Sequence, residues 1–147
     1  MSLERIDARR THVVPRLARI TERALDKVGL TLPQYRVLAF LSLGPSAGVA
    51  LAEWLTVSPP SVSALVDGLV TRGLVARERS RTDRRRVEHT LTAAGREALI
   101  DADGVVGERL DELLAVLSTK RRRAALDGLA AVAEAFDVQR ARRLASS

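Results

Sequence analysis

The chain has 147 residues, of which 46% are hydrophobic and only 3% aromatic, and it carries a formal net charge of +6. That length suits one domain, or one domain with appended helices, with a core of Leu, Val and Ala. The absence of cysteine excludes a disulfide, a thiolate zinc site and a cysteine redox sensor, and no apolar run approaches the roughly 20 residues of a membrane span.

The N-terminal MSLERIDARR carries acids and no apolar h-region, so a signal peptide is not expected and a soluble cytoplasmic protein is. Leu3, Ile6, Val13, Leu17, Ile20, Ala24 and Val28 recur at helical spacing and predict a first helix from Leu3 to Val28, kinked or broken at Pro15. Gly29 ends it. Thr31-Leu32-Pro33-Gln34 is a capping box, and Tyr35, Val37, Leu38 and Leu41 form the buried face of the helix it opens. Leu43-Gly44-Pro45-Ser46 stops that helix. Val49 to Leu55 is a short helix with Leu51, Ala52 and Leu55 inward.

The stretch from Thr56 to Thr92 organises the rest. Ser58 serves as N-cap and Pro59 takes the first helical position, where no N–H is needed. Val62, Leu65, Val66 and Leu69 form one apolar stripe, and Gly73 ends the helix in a left-handed conformation. With the short helix before it, this makes a helix-turn-helix by length and spacing. Two strands, Leu74 to Glu78 and Arg86 to Leu91, then flank the turn Arg79-Ser80-Arg81-Thr82-Asp83-Arg84-Arg85. A helix followed directly by a basic hairpin is what a winged helix-turn-helix needs, the helix for the major groove and the hairpin for the neighbouring backbone or minor groove. Thr92 caps a long helix with Leu99, Ala102, Val106, Leu110, Leu113 and Leu117 along one stripe. Gly104 and Gly107 weaken its middle. Ser118 caps a last helix with Ala125, Leu129, Val132 and Phe136 inward, and Arg140 to Ser147 reads as a frayed basic tail.

These residues carry a resemblance. Leu51-Ala52-Glu53 through Val57-Ser58-Pro59, then Leu65-Val66-Asp67, Arg72-Gly73-Leu74-Val75, Asp83-Arg84-Arg85 and Leu91-Thr92 resemble the MarR family of bacterial transcriptional regulators, as does TLPQYRVL from Thr31 to Leu38. The resemblance implies a mostly α fold with a small β-hairpin wing (α+β). Residues 31–92 would form the winged lobe, and 1–28 and 93–140 the dimerisation helices. It implies a homodimer on a palindromic double-stranded DNA operator, acting as a repressor relieved by a small, phenolic or otherwise aromatic, effector. The sequence departs from the family at Ala64 and Gly68, where relatives often carry basic or polar side chains, and at Thr56, which replaces a glycine common in the turn.

The DNA-facing set expected on these grounds is Ser58, Pro60, Ser61, Ser63, Ala64, Arg72, Arg79, Arg81, Asp83, Arg84, Arg85 and Arg86. Hydroxyls bond to bases or phosphates, and Ala64 suits a thymine methyl. Arginine in a hairpin suits phosphate, with Arg85 in the minor groove and its guanidinium held by Asp83. An Asp at such a place also serves simply as a turn former. With so few base readers on the helix, specificity would rest more on the wing and on DNA shape, and an effector-independent, shape-reading or architectural protein is the alternative. A protein-binding module with a wing-like fold is a third reading, against which the arginine hairpin argues. Arg16, Tyr35 and Trp54 are candidates for an effector cleft, each with an ordinary packing role as the alternative. His12 and His89 have no second ligand at metal spacing, and no nucleophile stands beside a base, so neither a metal, a cofactor nor catalysis is expected. The operator, the effector, the regulated genes and the sign of regulation are not legible.

Overall fold

The computed structural model describes residues 5–146. The expected start of the first helix at Leu3 lies outside them. The helix is broken: α1 spans Ala8–Thr11, α2 spans Val13–Leu25, and a 3-10 turn covers Asp26–Val28. The interruption at His12 follows from Pro15, which has no N–H for the Thr11 carbonyl and whose ring crowds it. Asp7 caps α1 by accepting the Arg10 N–H at 2.8 Å. Gly29, at φ 67°, ends the 3-10 turn. The capping box then forms as expected: Thr31 Oγ1 accepts the Gln34 N–H, and Gln34 Oε1 accepts the Thr31 N–H at 3.0 Å. It opens α3 (Leu32–Leu41), whose Val37, Leu38 and Leu41 are buried.

The stop after α3 contains an element that sequence periodicity did not reveal. Ser46–Ala47 form a short strand, β1, before α4 (Gly48–Leu55). Thr56 then takes the left-handed conformation, φ 57° and ψ 45°, at a cost on the order of 1–3 kcal/mol for a β-branched residue. The turn places α5 (Pro59–Thr71) across α4, with Ser58 as the cap and Gly73 left-handed after it. The hairpin strands are β2 (Val75–Arg79) and β3 (Val87–Leu91), each beginning one residue later than expected. Val75 faces Leu91, Arg77 faces His89 and Arg79 faces Val87. β1 pairs with the other side of β3, Ser46 opposite His89, so the sheet order is β1-β3-β2, all antiparallel.

One core joins these elements: Leu25, Val37, Leu38, Leu51, Val66, Leu69 and Val75 are almost wholly excluded from solvent. Leu65 is half-buried at the edge of the stripe. Thr92 Oγ1 accepts the Gly95 N–H at 2.9 Å and starts α6 (Ala93–Leu114), which runs unbroken through Gly104 and Gly107. Gly95 lets α6 lie against the Leu74 carbonyl, where a Cβ would overlap it. Leu99 and Ala102 complete the core.

Residues up to Arg109 form one compact unit and those from Leu110 another. In the second, Ser118 caps α7 (Thr119–Ala145) and Arg122 pairs with Asp111 at 2.6 Å. Two expectations are corrected here. The stripe Ala125, Leu129, Val132, Phe136 is not inward: Ala125 is half-buried, the others are exposed, and no described residue of α7 is buried. Nor is there a frayed tail from Arg140, since helix continues to Ala145 with Arg142 and Arg143 in the last turn, where cations favour the helix dipole. Ser147 lies outside the described residues.

Candidate nucleic-acid interface

The N-terminal half of α5 is a polar surface built by its cap. Ser58 Oγ accepts the Ser61 N–H at 3.4 Å and lies 2.9 Å from Ser61 Oγ, so each hydroxyl orients the other. Val62, Val66 and Leu69 anchor one side of the helix. That leaves Pro60, Ser61, Ser63 and Ala64 exposed together on the other side. One turn further on, Gly68 adds no side chain and Asp67 is exposed. Asp67 is bound by Arg77 of β2 in an ion pair between helix and wing. Arg72 stands at the C-terminal end of α5, away from the serines. Its guanidinium donates to the Gly29 carbonyl at 2.8 Å and reaches Gln34 Oε1 at 3.5 Å, tying α5 to the entry of α3. Sequence reading did not find either arginine's partner, because each contact joins two different elements, across 10 residues for Arg77 and 43 for Arg72, with no periodic signal.

Between β2 and β3 the loop is organised by Ser80, which is buried. Its Oγ accepts the N–H groups of Thr82 and Asp83 at 3.3 Å, and its own N–H donates to the Arg86 carbonyl at 2.9 Å. Asp83 Oδ1 accepts the Arg85 backbone N–H at 3.0 Å, and its carbonyl accepts the Arg86 N–H at 2.9 Å. Here the structure amends the expected grip of Asp83 on the Arg85 guanidinium. The carboxylate holds the Arg85 backbone, and the guanidinium nearest it is that of Arg86, at 3.9 Å. Asp83 is therefore a turn former that aims the loop. Arg79, Arg81, Arg84, Arg85 and Arg86 all project from it into solvent. Behind the wing, His89 is buried with Nδ1 3.1 Å from the Ser46 carbonyl. Burial lowers its pKa below the ordinary value, which keeps the ring neutral where β3 meets β1.

The three effector-cleft candidates have separate surroundings. Tyr35 donates from its hydroxyl to Asp103 at 2.6 Å. Burial, and then the carboxylate, push the phenol well above its ordinary pKa, so it stays protonated. Trp54 packs on Phe40 with ring centroids 4.8 Å apart and lies under the Arg36 guanidinium, 5.5 Å from the ring centre. Arg36 also donates to the Leu55 carbonyl at 3.3 Å. Arg16 is exposed on α2. A cleft of about 280 Å³ lies elsewhere, lined by Leu41, Pro45, Thr90, Leu91 and Arg96 among others, and none of the three candidates borders it. Among the described residues, no three His, Cys, Asp or Glu side chains are grouped to hold a metal ion, and no single helix is long and apolar enough to cross a membrane.

A short-side-chain helix set beside an arginine-tipped hairpin on a three-stranded sheet defines a winged helix-turn-helix DNA-binding protein. The family model for the MarR family matches residues 28–86, from the end of the 3-10 turn through the loop of the wing. The chain is 36% identical over 101 residues to the HTH-type transcriptional repressor Rv2887 of Mycobacterium tuberculosis (strain ATCC 25618 / H37Rv), covering 68% of this chain and 73% of that one. Among solved structures it is similar to wild-type MarR from E. coli in its apo form, with TM-score 0.75 and 25% identity over 88% of this chain and 98% of that one. The Rv2887 complex with p-aminosalicylic acid gives TM-score 0.69 and 30% identity, covering 84% and 94%. The transcriptional repressor CouR, bound to a 23-mer DNA duplex, gives 0.68 and 33%, covering 84% and 88%. The chain belongs to the MarR family and is a winged-helix, DNA-binding transcription regulator.

Proposed function

We propose that the protein is a homodimeric repressor that binds a palindromic operator and is released by a small aromatic ligand. In this reading residues 31–92 form the DNA lobe, and 1–28 and 93–140, extended by the helix to Ala145, form the dimer region. The lobe sets Ser58, Pro60, Ser61, Ser63 and Ala64 in the major groove, and Arg79, Arg81, Arg84, Arg85 and Arg86 on the backbone and minor groove. The observation that carries it is the exposure of both surfaces beside one another, joined by the Asp67–Arg77 pair. Arg72 also braces the lobe through Gly29, and its exposed guanidinium keeps further donors for a phosphate. The DNA-bound CouR structure supports the duplex as partner. The exposed Leu126, Leu129, Val132 and Phe136 of α7 support a second copy, since apolar surface of this extent marks an interaction site. Selection of bound duplexes from random DNA tests the reading. It should return two inverted half-sites about one helical turn apart, and light scattering at micromolar concentration should return a dimer mass. A monomer mass, or an enriched set without symmetry, sinks it.

The p-aminosalicylic acid complex of Rv2887 supports an aromatic carboxylate as effector, with Arg16, Tyr35 and Trp54 as candidate contacts. The short side chains on α5 favour a second reading, a shape-reading protein without effector. Thermal-shift titration with small phenolic acids separates the two: a saturable shift that also weakens DNA binding belongs to the first alone.

A further inference from the structure

Asp67 is an anomaly on the proposed DNA face. It is an exposed carboxylate on α5, one turn beyond Ser63 and Ala64, on the side of the helix opposite the buried stripe. Left alone, it would face a phosphate backbone and repel it. Arg77, across the gap on β2, neutralises it, and in doing so commits a guanidinium that would otherwise be free beside the groove. Both side chains keep a substantial share of their surface in water, 38% for Arg77 and 58% for Asp67, so neither is a core residue that folding demands. The pair also links two surfaces that must meet the duplex in register, the recognition helix and the wing.

We propose that Asp67 is a specificity-determining residue: it withholds Arg77 from the phosphate backbone and holds the wing at a fixed position against α5. This rests on the DNA-binding reading above. In the parent protein, backbone attraction then comes from the wing tip alone. Unrelated DNA gains little from the lobe's flank, while a duplex that fits both helix and wing gains fully.

The test is equilibrium binding across a salt series, on a duplex selected from random DNA and on a scrambled duplex of the same length and composition. Asp67→Asn should bind the scrambled duplex several-fold more tightly, with a salt slope steeper by about 0.9, the worth of one added phosphate contact. The ratio of selected to scrambled affinity should fall. Arg77→Gln alone should weaken binding to both duplexes and flatten the slope, because it leaves the carboxylate unpaired beside the backbone. The double variant should return to the parent's slope. Asp67→Glu, which keeps the charge, should behave as the parent.

The proposal is overturned if the double variant's slope is flatter than the parent's by about one, since Arg77 would then already sit on a phosphate. It is also overturned if Asp67→Asn matches the parent on the scrambled duplex. Loss of helical circular dichroism in Asp67→Asn would overturn it too, because a pair the fold requires is not a reserve of charge. A parent that binds neither duplex fails the DNA-binding reading itself, a result distinct from all of these.

Discussion

The exposed face of α5 and the wing are neighbours with opposite chemistry. The helix presents Ser61, Ser63, Ala64 and Pro60, short groups with little reach and no charge. The wing presents Arg79, Arg81, Arg84, Arg85 and Arg86, long groups with a fixed positive charge. Short groups on a rigid helix discriminate by close fit, because they touch only what approaches within a van der Waals contact. Long charged groups on a turn attract at a distance and read width and potential more than base identity. In the proposed reading the lobe divides attraction and discrimination between two elements, and its quality depends on how firmly the two are held together.

The largest effect should come from breaking the wing's seat. Gly95→Ala puts a Cβ into the Leu74 carbonyl and against Leu91, where overpacking against backbone costs about 3 kcal/mol or more. Denaturant unfolding should show a lowered midpoint at unchanged slope, and a variant as stable as the parent would mean that α6 can slide off the hairpin base freely.

Arg85→Ala tests attraction. It should cost about 1–3 kcal/mol of DNA affinity and reduce the salt slope by about one, as read by fluorescence anisotropy at two salt concentrations. The lost group is a free guanidinium, since Asp83 holds only the Arg85 backbone.

Acid should loosen the wing from beneath. His89 has a folded-state pKa below its ordinary value of 6.5 because it is desolvated, so its neutral form stabilises the fold. That stability is fully present above the unfolded pKa and is lost as pH falls below it. Ser46, Arg77 and Asp67 are the groups facing the ring. The thermal midpoint of the parent should fall on acidification through this window more than that of His89→Gln. Parallel curves would remove the histidine from the account.

Ser61→Ala tests discrimination. It should cost below about 1 kcal/mol of affinity, one modest hydrogen bond, while changing which bases are preferred in repeated selection. Arg122→Ala is the smallest: its partner is Asp111, both exposed and far along the chain from the lobe's helix and wing, so DNA affinity should stay within about 0.5 kcal/mol of the parent. If it fails to bind while Arg85→Ala binds normally, the DNA face has been placed on the wrong side of the molecule.

The parts legible in the sequence were those written in local signals. Thr31 with Gln34, Ser58 with Pro59, and Gly73 each fix a helix end through bonds or backbone angles within a few residues, and each was found where it was read. The apolar stripes of α3, α4 and α5 were legible because a single core takes them all. The break at His12 was readable as a proline effect, yet its place was displaced because proline disrupts the turn before itself. β1 escaped notice since two residues carry no period. The Asp67–Arg77 ion pair and the Arg72–Gly29 hydrogen bond escaped because contacts between different elements leave no mark in periodic spacing. The stripe on α7 was correctly seen as apolar but wrongly read as inward, for periodicity reports that a face needs covering and not what covers it. The partition of the arginines into free and engaged groups was likewise invisible, and it is what turns a basic hairpin into a candidate interface.

The small strand β1 has a consequence for behaviour at high concentration. By pairing with β3 over Ser46 and Ala47 it makes β3 central and leaves β2 as the long edge of the sheet. An open edge is a template for strand addition, the first step towards aggregation. Here that edge runs Val75-Ala76-Arg77-Glu78-Arg79, charged in its outer three positions. A second sheet approaching it meets charged, hydrated side chains in place of an apolar ribbon. The arginines proposed to meet a polyanion thus lie on the same edge where charge disfavours strand addition.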